Sequence, residues 1–295
     1  MSLGRASFPR LNKCDGLCHL PLHVQYEEHQ PLPALAPLIE RVWTLEGHAS
    51  MLRGALQPVL PDGRPELILH LGDRFDRIPE GGPAERQDDL IFAGQMTSQL
   101  VLRPTGAIKV LGLRFEPFGA SALFRVPQHE LAGLTLDLAA ISPPLARALR
   151  RVQETASSLA FAAVAAQQAL LPFLSHVKPD PRIRHAVNQI TRRHGVVSID
   201  RISTATGLTR RHLERQFRQQ VGVGPKRLAR ISRFQHALQL LDSTDSTQRG
   251  TLTAAACGYA DQAHFIRDFK DLAGCPPTEH LLRQAVLTKF FLDRR

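Results

Sequence analysis

The chain has 295 residues, 43% of them hydrophobic, and a formal net charge of +10, a length that suits about two domains. No stretch approaches the roughly 18 uninterrupted apolar residues of a membrane helix. The start, with Arg5, Pro9 and Arg10 and no apolar run, is not a secretory signal, and four cysteines make no disulfide framework. A cytoplasmic protein without a membrane partner is expected. Residues 1–180 carry 17 Lys and Arg against 18 Asp and Glu, whereas residues 181–295 carry 20 against 9. Basic charge gathered in one part of a chain is the footprint of phosphate binding.

Residues 1 to about 35 read as irregular, broken by Pro9, Pro21, Pro31 and Pro33. Cys14, Cys18, His19 and His23 fall here, but their spacing fits no common zinc pattern, and no metal or other cofactor is expected. From Leu38, short apolar runs alternate with turn signals: Val42 to Leu45, Glu66 to Leu71 after the turn at Pro61 to Arg64, Leu90 to Ala93, Gln99 to Arg103, and Ile108 to Phe115. Such runs predict a small antiparallel β barrel or sandwich. His70 stands alone in its strand and reads as structural. Arg103 and Arg114 are the strand positions able to meet an anionic ligand, although strand arginines more often face solvent.

Helices are predicted over Pro117 to Leu123, Pro143 to Glu154, and Ser157 to about His176. The last is nearly all apolar around Leu159, Phe161, Val164, Leu170 and Phe173, so it must be buried against the β domain or a second subunit. Lys178-Pro179-Asp180-Pro181 reads as a linker. The chain then divides into residues 1–177, a linker 178–181, and an all-α part 182–295, an α+β fold overall.

The all-α part opens with a helix from Arg182 to His194, stopped at Gly195, and then writes one pattern twice. His212, Leu213, Arg215, Phe217, Gly222 and Pro225 recur as His264, Phe265, Arg267, Phe269, Gly274 and Pro277, each 52 residues later. Each copy reads as helix, glycine turn (Gly207, Gly258), helix. Ser198, Thr209 and Asp261 stand where N-caps are wanted. Lys226 to Leu241 is one helix with Leu228, Ile231, Phe234, Leu238 and Leu241 on its buried side, followed by a polar loop from Asp242 to Gly250. In the first copy Leu213, Phe217 and Val221 form an apolar face, while Arg211, Glu214, Arg215 and Arg218 form a charged one suited to a DNA major groove.

This doubled pattern, ending Gly-Cys-Pro-Pro-Thr-Glu-His-Leu, resembles the DNA-binding domain of AraC/XylS-type bacterial transcription regulators over about Ile183 to Arg283. Tyr259, in place of the usual Phe, and His280-Leu281, in place of Tyr-Arg, depart from the family pattern. The resemblance implies a regulator that is not an enzyme, with double-stranded DNA as partner and recognition helices at about 209–221 and 261–273 in successive major-groove turns. By position it carries DNA contact to Arg210, Arg211, Glu214, Arg215 and Arg218, and to Gln262, Ala263, His264 and Arg267. It further implies a homodimer, contact with RNA polymerase, and a cupin-like β domain ahead of the linker that takes a small-molecule effector. The runs Leu60-Pro61-Asp62-Gly63, Phe92-Ala93-Gly94-Gln95 and Gly112-Leu113-Arg114-Phe115 are similar to one such N-terminal domain of unassigned ligand. Two other readings stand beside this one: an enzyme fused to the DNA-binding part, and a DNA binder whose β domain only dimerises.

Overall fold

A computed structural model describes residues 24–52, 55–174, 179–243 and 254–282. The N-terminal part holds two antiparallel sheets. The larger is ordered β1 (Gln25–His29), β2 (Ile39–His48), β9 (Ala107–Phe115), β4 (Glu66–His70), β7 (Leu90–Ala93) and β10 (Thr135–Asp137). The smaller is ordered β3 (Gln57–Val59), β8 (Leu100–Arg103), β5 (Asp76–Arg77) and β6 (Glu85–Arg86). These sheets make a sandwich, not a closed barrel.

Alternation along β9 explains the layering, because successive side chains leave opposite faces of a strand. Ile108 and Val110 face the small sheet, in a core with Trp43, Leu45, Phe75 and Leu102. Leu111, Leu113 and Phe115 face the other way, onto α2 (Pro143–Thr155) and α3 (Leu159–Leu170), through Leu145, Leu149, Ala162 and Ala166. A four-residue helix, α1 (Leu138–Ile141), precedes them.

Several local expectations change. Strand β1 lies inside the stretch expected to be irregular; it is an edge strand whose one inward residue is Tyr26, too little apolar signal to show. Pro117 to Leu123 condenses to a 3-10 turn over Gly119–Ala122. Helix α3 is capped by Ser158 and buries one face only, leaving Phe161 and Val164 about half exposed, at 51% and 48%. The sheet needs a single face of the helix, and the rest is bare in the isolated chain.

The C-terminal part is helical: α4 (Pro181–Arg192), α5 (Ile199–Thr206), α6 (Arg210–Gln220), α7 (Pro225–Ser243), α8 (Gln262–Ala273) and α9 (Pro277–Leu282), with a helical turn at 254–256. Pro181, read as linker, is already the first residue of α4, where its missing N–H costs nothing. Asp180 caps that helix, and its own N–H donates to Gln220 Oε1 at 2.9 Å. Helix α7 runs through Asp242 to Ser243. Most of the expected polar loop after it, like the leader with Cys14, Cys18, His19 and His23, lies outside the described residues.

Candidate nucleic-acid interface

Each unit of the repeat is built as its residue types require. Helix α5 begins at Ser198, whose Oγ accepts from Arg201 N, and ends at Gly207 with φ of 65°, a left-handed stop that favours glycine. Thr209 then caps α6, its Oγ1 accepting from His212 N at 3.3 Å. In the second unit Gly258 takes φ of 69° and Asp261 caps α8, accepting from His264 N at 2.6 Å.

One face of each second helix enters a core. Leu213 and Phe217 of α6 pack with Ile183, Val187, Ile190 and Leu228. Phe265, Phe269 and Leu272 of α8 pack with Phe234, Leu238 and Cys257. The departures from the family pattern are absorbed here. Tyr259 packs its buried ring on Phe265 beneath the Arg233 guanidinium, 5.2 Å away, and His280 is buried edge-on to Phe269. Burial pushes the Tyr259 hydroxyl upward, so it stays protonated.

With those faces buried, the opposite ones are exposed. Arg211, Glu214, Arg215 and Arg218 line one concave surface with Thr209, His212, Gln219 and His129. Among the described residues no carboxylate pairs with Arg211, Arg215, Arg218 or Arg267, so their guanidinium groups face outward uncommitted. Arg210 differs: it pairs with Asp200 at 2.8 Å and lines a second cleft, between the units, with Lys226, Arg230, Arg233 and His264. Glu214 lies against Gly224, close enough that a Cβ there would overlap its carboxylate. In the second unit Gln262, Ala263 and Arg267 are exposed and His264 is half-buried beside Tyr259, their ring centroids 5.3 Å apart.

Two features escaped the sequence reading. Arg230 on α7 contacts Asp268 and Asp271 of α8 at 2.7 and 2.6 Å, so one connecting helix carries both a core stripe and the basic wall of the cleft. Its signal was the Arg227, Arg230, Arg233 series, spaced three apart. The other is His129, delivered by a 3-10 turn of the β domain (Gln128–Glu130); no sequence pattern links residue 129 to α6.

In the β domain, the positions considered for an anion are occupied. Arg103 pairs with Asp76 at 2.8 Å. Arg114 is 3% exposed and pairs with Glu40 at 2.8 Å, Glu66 at 3.2 Å and also Asp62. Burial pushes the Glu66 carboxyl above the usual carboxylate range, against the pull of Arg114. His70 is buried edge-on to Phe75, and burial pushes it down to about 4, which keeps the ring neutral near pH 7. Among the described residues no cluster of three or more His, Cys, Asp or Glu could hold a metal, and no helix is long and apolar enough to cross a membrane.

Two family profiles match the chain: "Domain of unknown function (DUF6597)" over residues 27–137 and "Helix-turn-helix domain" over residues 202–283. A structure of ToxT from Vibrio cholerae is 14% identical, covering 77% of this chain and 97% of that one, with a TM-score of 0.42. A probable AraC family transcriptional regulator from Rhodopseudomonas palustris CGA009 is 29% identical over 35% of this chain and 97% of its own, with a TM-score of 0.31. No curated protein matches. The chain thus carries a helix-turn-helix domain over residues 202–283. The β part ahead of it, over residues 27–137, matches the domain of unknown function.

Proposed function

We propose that the chain is a cytoplasmic, sequence-specific DNA-binding regulator that sets α6 and α8 into successive major-groove turns of double-stranded DNA. The observation carrying this reading is the unpaired basic face of α6, where Arg211, Arg215 and Arg218 point away from the core. Arginine matches the paired acceptors of guanine, and Gln262 could pair with adenine. Ala263 offers apolar contact to a thymine methyl. Arg210, His264, Lys226 and Arg233 border the cleft between the units, where a phosphate backbone crossing from one groove to the next would pass.

The reading divides the chain into a β effector domain (1–177), a linker (178–181) and the DNA-binding domain (182–295). The chain works as a homodimer, a role to which the exposed Phe161 and Val164 of α3 are suited, with RNA polymerase as a further partner and a small molecule as effector. The test is selection of an operator from random DNA by the purified full chain, followed by footprinting. Two protected major-groove segments about one helical turn apart are expected per chain; failure to enrich any sequence would overturn the proposal.

A further inference from the structure

The β domain touches both repeats at the same place. Gly222 and Gly274, the glycines that follow the two recognition helices, have φ of 95° and 71°. A Cβ on Gly222 would stand 3.3 Å from Gln95 Cγ and 3.0 Å from the Gln128 carbonyl oxygen; one on Gly274 would overlap the side-chain amide of Gln99. Each glycine therefore serves twice, ending a helix and admitting a glutamine of the other domain.

The same domain contributes apolar residues to each unit's core. Phe118, with Ala132 beside it, joins the first, and Leu60 joins the second. Between those points the Leu60–Arg64 turn lies on α7. Gln235 Nε2 donates to the Pro61 carbonyl at 2.7 Å, Gly63 rests against Leu228 and Ile231, and Arg227 donates to the Thr97 carbonyl.

The three motifs whose ligand was unassigned converge on this surface. Gln95 Nε2 donates to the Gly63 carbonyl at 2.8 Å, and buried Arg114 grips Asp62, so the second and third motifs hold the turn supplied by the first. We infer that Gln95–Gln99 and the Leu60–Arg64 turn form a docking surface for this chain's own two helix-turn-helix units, and that it sets the operator half-site spacing the protein accepts.

The units have separate cores strung along α7 and meet where Val196 lies against Gly258 and Arg233 spans from Gly195 to Tyr259, so their relative rotation depends on that helix and on this seam. A body gripping both units at corresponding positions removes that freedom. Moving one half-site by a base pair displaces its groove by about 3.4 Å and turns it by about 35°, which a braced pair cannot follow.

The inference rests on the DNA-binding proposal, and its test uses the selected operator with its half-sites moved by one base pair either way. Wild type should bind the shifted sites at least about tenfold more weakly. Full-length Gln99→Ala and Leu60→Ala should bind the unshifted site within about threefold of wild type, with the spacing penalty reduced to about threefold or less. Leu60 is a core residue, so melting curves accompany both variants, and Gln99→Ala carries the decision if Leu60→Ala fails to fold. A spacing penalty undiminished in Gln99→Ala would overturn the inference while leaving DNA binding intact. So would a variant that binds every spacing more tightly by one factor, since docking would then hinder DNA and not set spacing. Absence of any selected operator would overturn the DNA-binding proposal itself, and the spacing role with it.

Discussion

The Arg230 guanidinium donates to the Asp268 carboxylate at 2.7 Å, tying the connecting helix α7 to α8 from within a partly buried cleft. Asp268→Ala removes one of that guanidinium's two carboxylate partners and leaves it on Asp271 alone, at an expected cost of about 1 kcal/mol. The midpoint of thermal unfolding should fall, and protection of the half-site read by α8 should weaken more than that read by α6. Arg230→Lys should also lose stability, because an ammonium cannot meet both Asp268 and Asp271 with a rigid fork. Unchanged stability in Asp268→Ala would show the clamp to be idle.

Arg215 and Arg267 occupy equivalent exposed positions. If both read bases, Arg215→Ala should cost about 1–3 kcal/mol at the specific site and relax base preference there, with Arg267→Ala doing the same one groove turn away. Arg193, off the repeat, should when replaced weaken binding slightly and equally for all sequences. Loss of specific and nonspecific affinity by one common factor in Arg215→Ala would make Arg215 a phosphate clamp.

The basic excess after residue 180 predicts that full-chain affinity falls about tenfold or more as salt rises from about 50 to 200 mM. Titration by fluorescence anisotropy at several salt concentrations measures the slope. Each arginine that contacts a phosphate should lower that slope by about one when replaced; a flat dependence would contradict the electrostatic reading of the domain.

His70 gives the β domain an acid sensitivity of known sign. Its folded value, about 4, lies below an unfolded value of about 6.5. The unfolded chain therefore binds the proton more readily between those values, and stability present above pH 6.5 is lost as pH falls toward 4. The full effect is roughly 3 kcal/mol. Glu66, whose pKa is raised, acts in the opposite sense as pH rises, so the comparison must be with His70→Leu. Between pH 6.5 and 4 wild type should lose more stability than the variant, by chemical denaturation at each pH. Parallel losses would mean that the ring is protonated in the folded state.

An effector that binds the native β domain must raise its melting temperature by mass action, about 2.7 kcal/mol of stabilisation at a hundred times Kd. A metabolite screen by thermal shift looks for this. A screen without hits, alongside intact operator binding, would favour a β domain that only docks and dimerises.

The repeat was legible in the sequence because its geometry is local. Glycine stops, Ser198, Thr209 and Asp261 caps, and apolar residues at helical spacing act within a turn or two of their own position, and all stand where the residue types require. The long strands β2 and β9, and the mostly apolar β4, were legible for the same reason. The two-residue strands β5 and β6 and the edge strand β1 were not, since so few inward residues leave no period to read. What the tertiary structure alone decided is the use of polar residues. Arg114 is a buried tie and not a solvent-facing or anion-binding group, because the fold brings Glu40, Asp62 and Glu66 around its guanidinium. Gln95 and Gln99 show no pattern in one dimension; they acquire a role only when the sandwich sets them, four residues apart, against two glycines that the sequence places 52 residues from each other.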